Sequence, residues 1–187
     1  MERSTLIKFF SAWALYITLH FSYRMFASPA TYFLGCPAET LFTHGKMSFF
    51  SYLIVSIGFI IYAAAKKKGL HIWAAGLANC IYPYLSFFLW FIIPGVFGEW
   101  KLPAQEIIYS NVILAVCLLI TVALETEFRM ISWSRTGKAA VAVLFAASFF
   151  LYTAMTLRTP DIEFFGAHSH GNEVVTPACP GSDAHGH

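Results

Sequence analysis

The sequence predicts an all-helical integral membrane protein. Its 187 residues are 58% hydrophobic and only 12% charged, whereas an average soluble domain is about 45–50% apolar and about 25% charged. The mean hydropathy is +0.63, and the apolar residues recur in long blocks along the whole chain. These blocks lack the alternating pattern of a transmembrane β-barrel. Open strands would leave backbone groups unpaired in lipid, so each block is predicted to be a helix.

Five of these blocks are long enough to cross a membrane. A bilayer core about 30 Å thick requires about 20 mostly apolar residues per helix. The predicted spans are Phe9 to Phe26, Ser48 to Ala65, Ile72 to Phe97, Ile107 to Leu124 and Ala139 to Leu157. We therefore expect a five-helix transmembrane domain over residues 1–158 and a flexible, extracytoplasmic, His-rich tail over residues 159–187.

The first span has an alternative interpretation as a signal peptide. Arg3 and Lys8 form a basic start, and residues 28–30 offer small side chains for cleavage. The apolar run is long for a signal peptide, however, and His20 and Arg24 interrupt it. We expect an uncleaved signal anchor, with a cleaved signal peptide as the alternative.

The positive charges predict how the helices are oriented. Cytoplasmic loops carry an excess of Lys and Arg. A cytoplasmic N-terminus puts eight of the 12 Lys and Arg residues inside, and leaves outside only Arg24, Lys46, Lys101 and Arg158. An odd number of spans then puts the C-terminus outside. We expect a multi-pass protein of the bacterial inner membrane.

The third span is the least typical of a plain membrane helix. Pro83 and Pro94 each remove a backbone donor and are expected to bend or break it. Polar residues of this span and the next one at membrane depth are Asn79, Tyr82, Tyr84, Ser86, Ser110 and Asn111. Interhelical hydrogen bonds of modest strength are the simpler interpretation, and a pore or ligand pocket is the alternative.

The C-terminal tail contains four of the seven histidines. His168 and His170 are two positions apart, as are His185 and His187, so the rings of each pair project on one side of an extended chain. Imidazole binds copper, zinc, nickel and cobalt, and His-rich tracts are typical of metal binding. The fixed spacing of a structural zinc site is missing. We expect the tail to bind a divalent transition metal, and a polar tail without a metal is the alternative.

Two further histidines are predicted on the same side of the membrane. His20 lies in the outer part of the first span, and His44 lies in the loop just before the second. An ionisable residue inside a membrane is costly to bury, and its presence there therefore suggests a functional role. We take both as candidate metal ligands. The alternatives are a local polar cluster with Arg24 and Glu39, or haem ligation, which needs two histidines that face each other.

The cysteines divide into two pairs. Cys36 and Cys179 are both predicted outside, where an oxidising compartment favours a disulfide between them. Cys179 joining the histidines as a soft ligand is the alternative. Cys80 and Cys117 fall at mid-membrane and are expected to be small packing residues.

Glu125 and Glu127 lie near the inner end of the fourth span. We expect them to form a surface ion cluster with Arg129, Arg135 or the run from Lys66 to Lys68.

The function that these patterns favour is the capture or passage of a divalent transition metal at the outer face. An accessory subunit of a larger membrane complex, such as a redox complex, is the alternative. The 19 phenylalanines favour contacts with lipid and with other membrane chains or further copies of this chain. A membrane enzyme is the least expected class, because no nucleophile or carboxylate pair is evident. The net charge of +2 excludes a nucleic-acid partner.

Overall fold

The structure is a computed structural model that describes residues 3–37, 40–97 and 103–158. Over these residues the chain forms helices and no strand. The helices are α1 (Arg3–Met25), α2 (Pro29–Leu34), α3 (Leu41–Ala65), α4 (Ile72–Phe97), α5 (Pro103–Phe128) and α6 (Arg135–Leu157). All except α2 are long.

Four of the helices are long and apolar enough to cross a membrane: Leu41–Ala65, Ile72–Trp90, Ile108–Phe128 and Arg135–Leu157. The prediction of a helical, multi-pass membrane protein is confirmed at this level. The predicted fifth span, α1, has 23 residues but is less apolar, since Lys8, His20 and Arg24 lie within it.

The long helices alternate in direction. Near one end of the bundle, Tyr16 of α1 contacts His44 of α3, and Trp90 of α4 packs between His44 and Tyr109 of α5. We call this the histidine end. The tail domain predicted for residues 159–187 lies outside the described residues, but α6 leads towards this end, where its Tyr152 packs on Phe42.

At the other end, α1 begins and α5 finishes, and Lys8 of α1 meets Glu125 of α5. The Lys66 to Lys68 turn after α3 and the start of α6 at Arg135 lie at the same end. We call it the basic end. The bundle therefore separates most of the Lys and Arg residues from His20 and His44, which are both partly buried.

The core lies between α1, α3, α4 and α5. Its fully buried members include Ala12, Tyr52, Tyr82 and Cys117. Cys80 is also buried, so both mid-membrane cysteines pack inside the bundle as predicted. A second cluster, rich in phenylalanine, joins α3 to α6.

The structure differs from the predicted local pattern at three places. Residues 29–34 form the short helix α2, whose start is fixed by a capping box between Ser28 and Thr31 with a proline at the first turn. Helix α3 begins at Leu41, where Thr40 caps it, so His44 is helical and does not lie in a loop. Helix α4 is continuous through Pro83 and Pro94, so neither proline breaks it.

Candidate functional site

The two histidines that the sequence singles out in the membrane domain lie side by side. His20 is near the end of α1, and His44 is in the first turn of α3. Their ring centroids are 5.5 Å apart and their ring planes differ by 20°. The antiparallel packing of α1 on α3 thus brings together two side chains that are distant in sequence.

The His44 ring is held from two sides. The Tyr16 hydroxyl and His44 Nδ1 form a hydrogen bond of 2.7 Å. The Trp90 ring lies nearly parallel to His44, with centroids 6.0 Å apart, and Tyr109 packs against Trp90 while donating a hydrogen bond to the Leu89 carbonyl. A partner on one ring nitrogen fixes the orientation of an imidazole, which is the arrangement that supports metal-ligating histidines.

Two glycines allow the close packing around this pair. A Cβ atom on Gly45 would lie 2.0 Å from Cζ of Phe87, so only a glycine lets the start of α3 approach α4 so closely. A Cβ atom on Gly35 would lie 2.5 Å from Oγ of Ser22, which shows how tightly the end of α2 presses on α1. Helix α2 therefore covers the histidine end from the side.

Lys46 and Cys36 are also buried beneath helix α2. Lys46 was expected in an exposed outer position, but it lies in α3, is 1% exposed, and its Nζ donates a hydrogen bond to the Tyr32 carbonyl over 3.1 Å. Cys36 is 4% exposed and packs near Tyr16 and Met47. Its predicted disulfide partner, Cys179, lies outside the described residues, so the pairing stays a prediction.

The geometry of the histidine pair can be compared with that of a metal site. In a tetrahedral site with metal–nitrogen distances of about 2.0–2.1 Å, the centroids of two coordinated imidazoles lie about 5 to 5.5 Å apart. The His20 to His44 separation of 5.5 Å is in this range. Among residues 3–37, 40–97 and 103–158, no group of three or more His, Cys, Asp or Glu side chains converges on one point. The predicted ligands His168, His170, His185 and His187 all lie outside the described residues.

A second polar cluster lies inside the basic end. Glu125 accepts hydrogen bonds from Lys8 Nζ, from the Tyr52 hydroxyl at 2.5 Å and from Arg129 at 2.5 Å. Lys8 and Glu125 each have a side chain that is 2% exposed, and Lys8 Nζ lies 4.6 Å from the centroid of the Tyr52 ring. We call these four residues the ion network. It joins α1, α3 and α5.

The ion network corrects the prediction of a surface cluster. Arg129 is a partner of Glu125 as expected, but Lys8 and Tyr52 were missed and the carboxylate is buried. The sequence does contain a signal. Lys8 stands among Leu6, Ile7 and Phe9, and a lysine in an apolar helix is costly to bury unless it is paired.

The polar residues of α4 serve different roles. Asn79 and Tyr82 point into the bundle and are buried, and Ser86 donates a hydrogen bond to the Tyr82 carbonyl of its own helix. Tyr84 is exposed, as is Asn111 of α5.

Comparison with known proteins identifies no relative: the chain matches no protein-family model, no curated protein and no solved structure.

Proposed function

We propose that this protein captures a divalent transition metal at the histidine end, with His20 and His44 as two of its ligands. The observation that carries the proposal is the 5.5 Å separation of the two rings, which suits two imidazoles on one tetrahedral ion. Copper, zinc, nickel and cobalt are the candidates, since all accept imidazole.

A tetrahedral metal ion has four ligands, and the two histidines provide only half of them. We propose that the tail provides the others. Helix α6 runs towards the histidine end and finishes at Leu157, so the chain that follows starts on the side where the histidine pair lies. His168, His170, His185 and His187 are within reach of that end along a tail of about 30 residues, which is flexible enough in composition to fold back. A ligand set shared between helices and tail would let the tail deliver its metal to the membrane domain.

We include α1 as the fifth span in this proposal. It runs alongside the other helices from the ion network at one end to the histidine pair at the other. Its low apolar content has a physical reason, because Lys8 and His20 face the bundle and pair there. With the basic end in the cytoplasm, following the Lys and Arg excess, the histidine end faces outwards. A bacterial inner membrane remains the setting that we propose.

The haem alternative suits the pair less well. Imidazoles on opposite faces of a haem iron have centroids slightly more than about 6 Å apart, with the macrocycle between them. The ring centroids of His20 and His44 are closer than that, at 5.5 Å. The accessory-subunit alternative gains no specific support, because exposed apolar side chains in a membrane helix contact lipid as readily as another chain.

Metal binding by matched histidine variants tests the proposal. The protein purified in mild detergent would be stripped of metal and titrated with Cu²⁺ and Zn²⁺, with bound metal measured by mass spectrometry and copper ligands by electron paramagnetic resonance. The variants are His20→Ala/His44→Ala and the replacement of all four tail histidines by alanine. His71→Ala is the control, because His71 lies just before α4 at the basic end.

Each of the two histidine variants is expected to weaken binding at least about tenfold, and the His71 control is expected to bind like the wild type. If the His20/His44 variant binds metal as tightly as the wild type, these residues are not ligands and the proposed site is wrong.

A further inference from the structure

A cleft between α3, α4 and α6 lies in the half of the bundle nearest the basic end. Its volume is about 300 Å³, near the lower limit of ligand pockets in proteins, which is about 300 Å³. The walls are apolar, formed by side chains such as Leu53, Ile60 and Phe145, and none of the described residues that line the cleft is charged. It is remote from the histidine end.

Two polar side chains interrupt this apolar wall. Asn79 is 1% exposed and Ser56 is 3% exposed, and both line the cleft. Neither the amide nitrogen nor the amide oxygen of Asn79 has a hydrogen-bond partner among the residues that the structure describes, and the same holds for the Ser56 hydroxyl. Buried polar groups in folded proteins nearly always have partners.

Two other buried hydroxyls in the bundle are satisfied within their own helices. Ser86 and Thr121 each donate a hydrogen bond to a carbonyl one turn earlier in their own helix. Ser56 does not make this bond. Together with Asn79, it thus presents unused donors and acceptors at one place in an apolar cleft.

We propose that this cleft binds an uncharged acylglycerol, with the glycerol hydroxyl and ester groups on Asn79 and Ser56 and the acyl chain in the apolar part. The Asn79 amide needs a partner that both donates and accepts, as an amide has one acceptor oxygen and two donor hydrogens. A hydroxyl beside an ester carbonyl offers both. A charged headgroup is disfavoured, because the cleft provides no opposite charge to pair with it.

The position of the cleft fits a ligand that arrives from the bilayer. Ile57 and Ala142 at its rim are exposed on the outer surface of the bundle, which is the surface that contacts lipid in a membrane protein. Asn79 lies seven residues after Ile72, the first residue of α4, which is roughly 10 Å along a helix with a rise of 1.5 Å per residue. The polar groups are therefore within reach of a small headgroup that sinks slightly below the interface.

Trp73 lines the cleft and provides a local reporter. The full chain would be placed in phosphatidylcholine nanodiscs and titrated with monooleoylglycerol carrying bromine atoms on its acyl chain, which quench nearby tryptophan fluorescence. The Trp73→Phe variant would be measured in parallel to isolate the contribution of this one residue. Brominated lysophosphatidylcholine, with a similar chain and a charged headgroup, is the ligand control.

Two substitutions distinguish the contribution of the polar groups to ligand binding from the contribution of the shape of the cleft. Asn79→Leu removes the amide at similar side-chain size, and Gly76→Leu fills the space, since a Cβ on Gly76 would be 3.4 Å from Val141 Cγ1. Gly58→Leu is the matched control, because a Cβ on Gly58 has no atom within 4 Å.

Saturable quenching of Trp73 by the brominated acylglycerol is expected in the wild type and in Gly58→Leu. The apparent Kd is expected to rise at least tenfold in Asn79→Leu, and quenching is expected to be lost in Gly76→Leu. Asn79→Leu is also expected to keep or raise the thermal unfolding midpoint in detergent, because it replaces an unpartnered amide. Quenching that never saturates, or that is equally strong with lysophosphatidylcholine, would overturn the proposal.

Discussion

At the scale of single residues, Glu125 decides how the basic end is held together. Its carboxylate accepts hydrogen bonds from Lys8, Tyr52 and Arg129, which belong to three different helices or turns of the bundle. Breaking a buried ion pair by removing one partner leaves an uncompensated charge, whereas removing both partners is much less harmful. The ion network is therefore expected to respond very differently to single and double substitutions.

Glu125→Gln is expected to destabilise the protein by about 3–5 kcal/mol, because it leaves the buried Lys8 ammonium without an opposite charge, and Lys8→Met/Glu125→Gln is expected to recover a large part of that loss. Unfolding in a detergent titration measures the free energy of each variant. Lys66→Met is the control, because Lys66 is exposed. A double variant as unstable as the single one would show that the interaction between the two side chains is not the source of the effect.

The substitution Tyr16→Phe tests whether the hydrogen bond to His44 supports metal binding at the histidine end. The substitution removes the hydroxyl that hydrogen-bonds to His44 Nδ1 and keeps the ring. Loss of such a supporting partner typically costs about 10–100-fold in metal affinity, so Cu²⁺ or Zn²⁺ binding is expected to weaken about tenfold or more. Tyr23→Phe, two turns further along α1, where the ring packs on Tyr32 of α2, is expected to leave affinity unchanged, and equal effects of both variants would contradict a specific role of Tyr16.

At the scale of helices, the approach of α3 to α4 depends on one glycine. Gly45→Ala would place a Cβ atom 2.0 Å from Cζ of Phe87, and such overpacking typically costs about 1–3 kcal/mol. The variant is expected to unfold at a lower temperature and to bind metal less tightly, because His44 precedes this glycine and would move with it. Gly58→Ala adds the same methyl group where nothing lies within 4 Å.

Gly58→Ala is expected to be neutral or slightly stabilising, since alanine is preferred over glycine within a helix by about 1 kcal/mol. Adding Phe87→Leu to Gly45→Ala is expected to restore stability by making room for the new methyl group. Failure of that second change to help would place the strain elsewhere. Thermal unfolding followed by circular dichroism measures all three variants.

At the scale of the whole molecule, the orientation of the bundle decides which compartment contacts the histidine pair. A cysteine introduced by Lys67→Cys lies in the turn after α3 at the basic end, and Cys179 belongs to the tail. In intact cells with thiols kept reduced, a membrane-impermeant reagent is expected to label Cys179 and to leave the position 67 cysteine unlabelled until the membrane is opened. The reverse pattern would put the histidine end in the cytoplasm.

The second prediction at this scale concerns the tail, which we propose captures the metal first. Imidazole must be neutral to coordinate, and its unperturbed pKa is about 6.5. Metal binding through the tail histidines is therefore expected to weaken steeply as the pH falls below about 6, and copper is expected to bind more tightly than zinc or nickel. Calorimetry on the full protein at pH 5.5 and 7.5 measures this, and affinity that does not change with pH would argue against imidazole ligands.

The membrane class and most helices of this protein are determined by sequence alone, because a helix that crosses lipid must be long, apolar and internally hydrogen-bonded whatever its neighbours are. The spans that correspond to α4 and α6 are predicted from this local rule alone. The pairing of His20 with His44, the burial of Lys46 and the contact of Lys8 with Glu125 were decided by tertiary structure. These features depend on which face of each helix turns inward and on which helices are neighbours, and nearly uniform apolar helices carry little information about either. Lys8 and Lys46 count as cytoplasmic or outer charges in a linear sequence, yet the packing of α1 and α2 on the bundle removes both from solvent and gives each a partner.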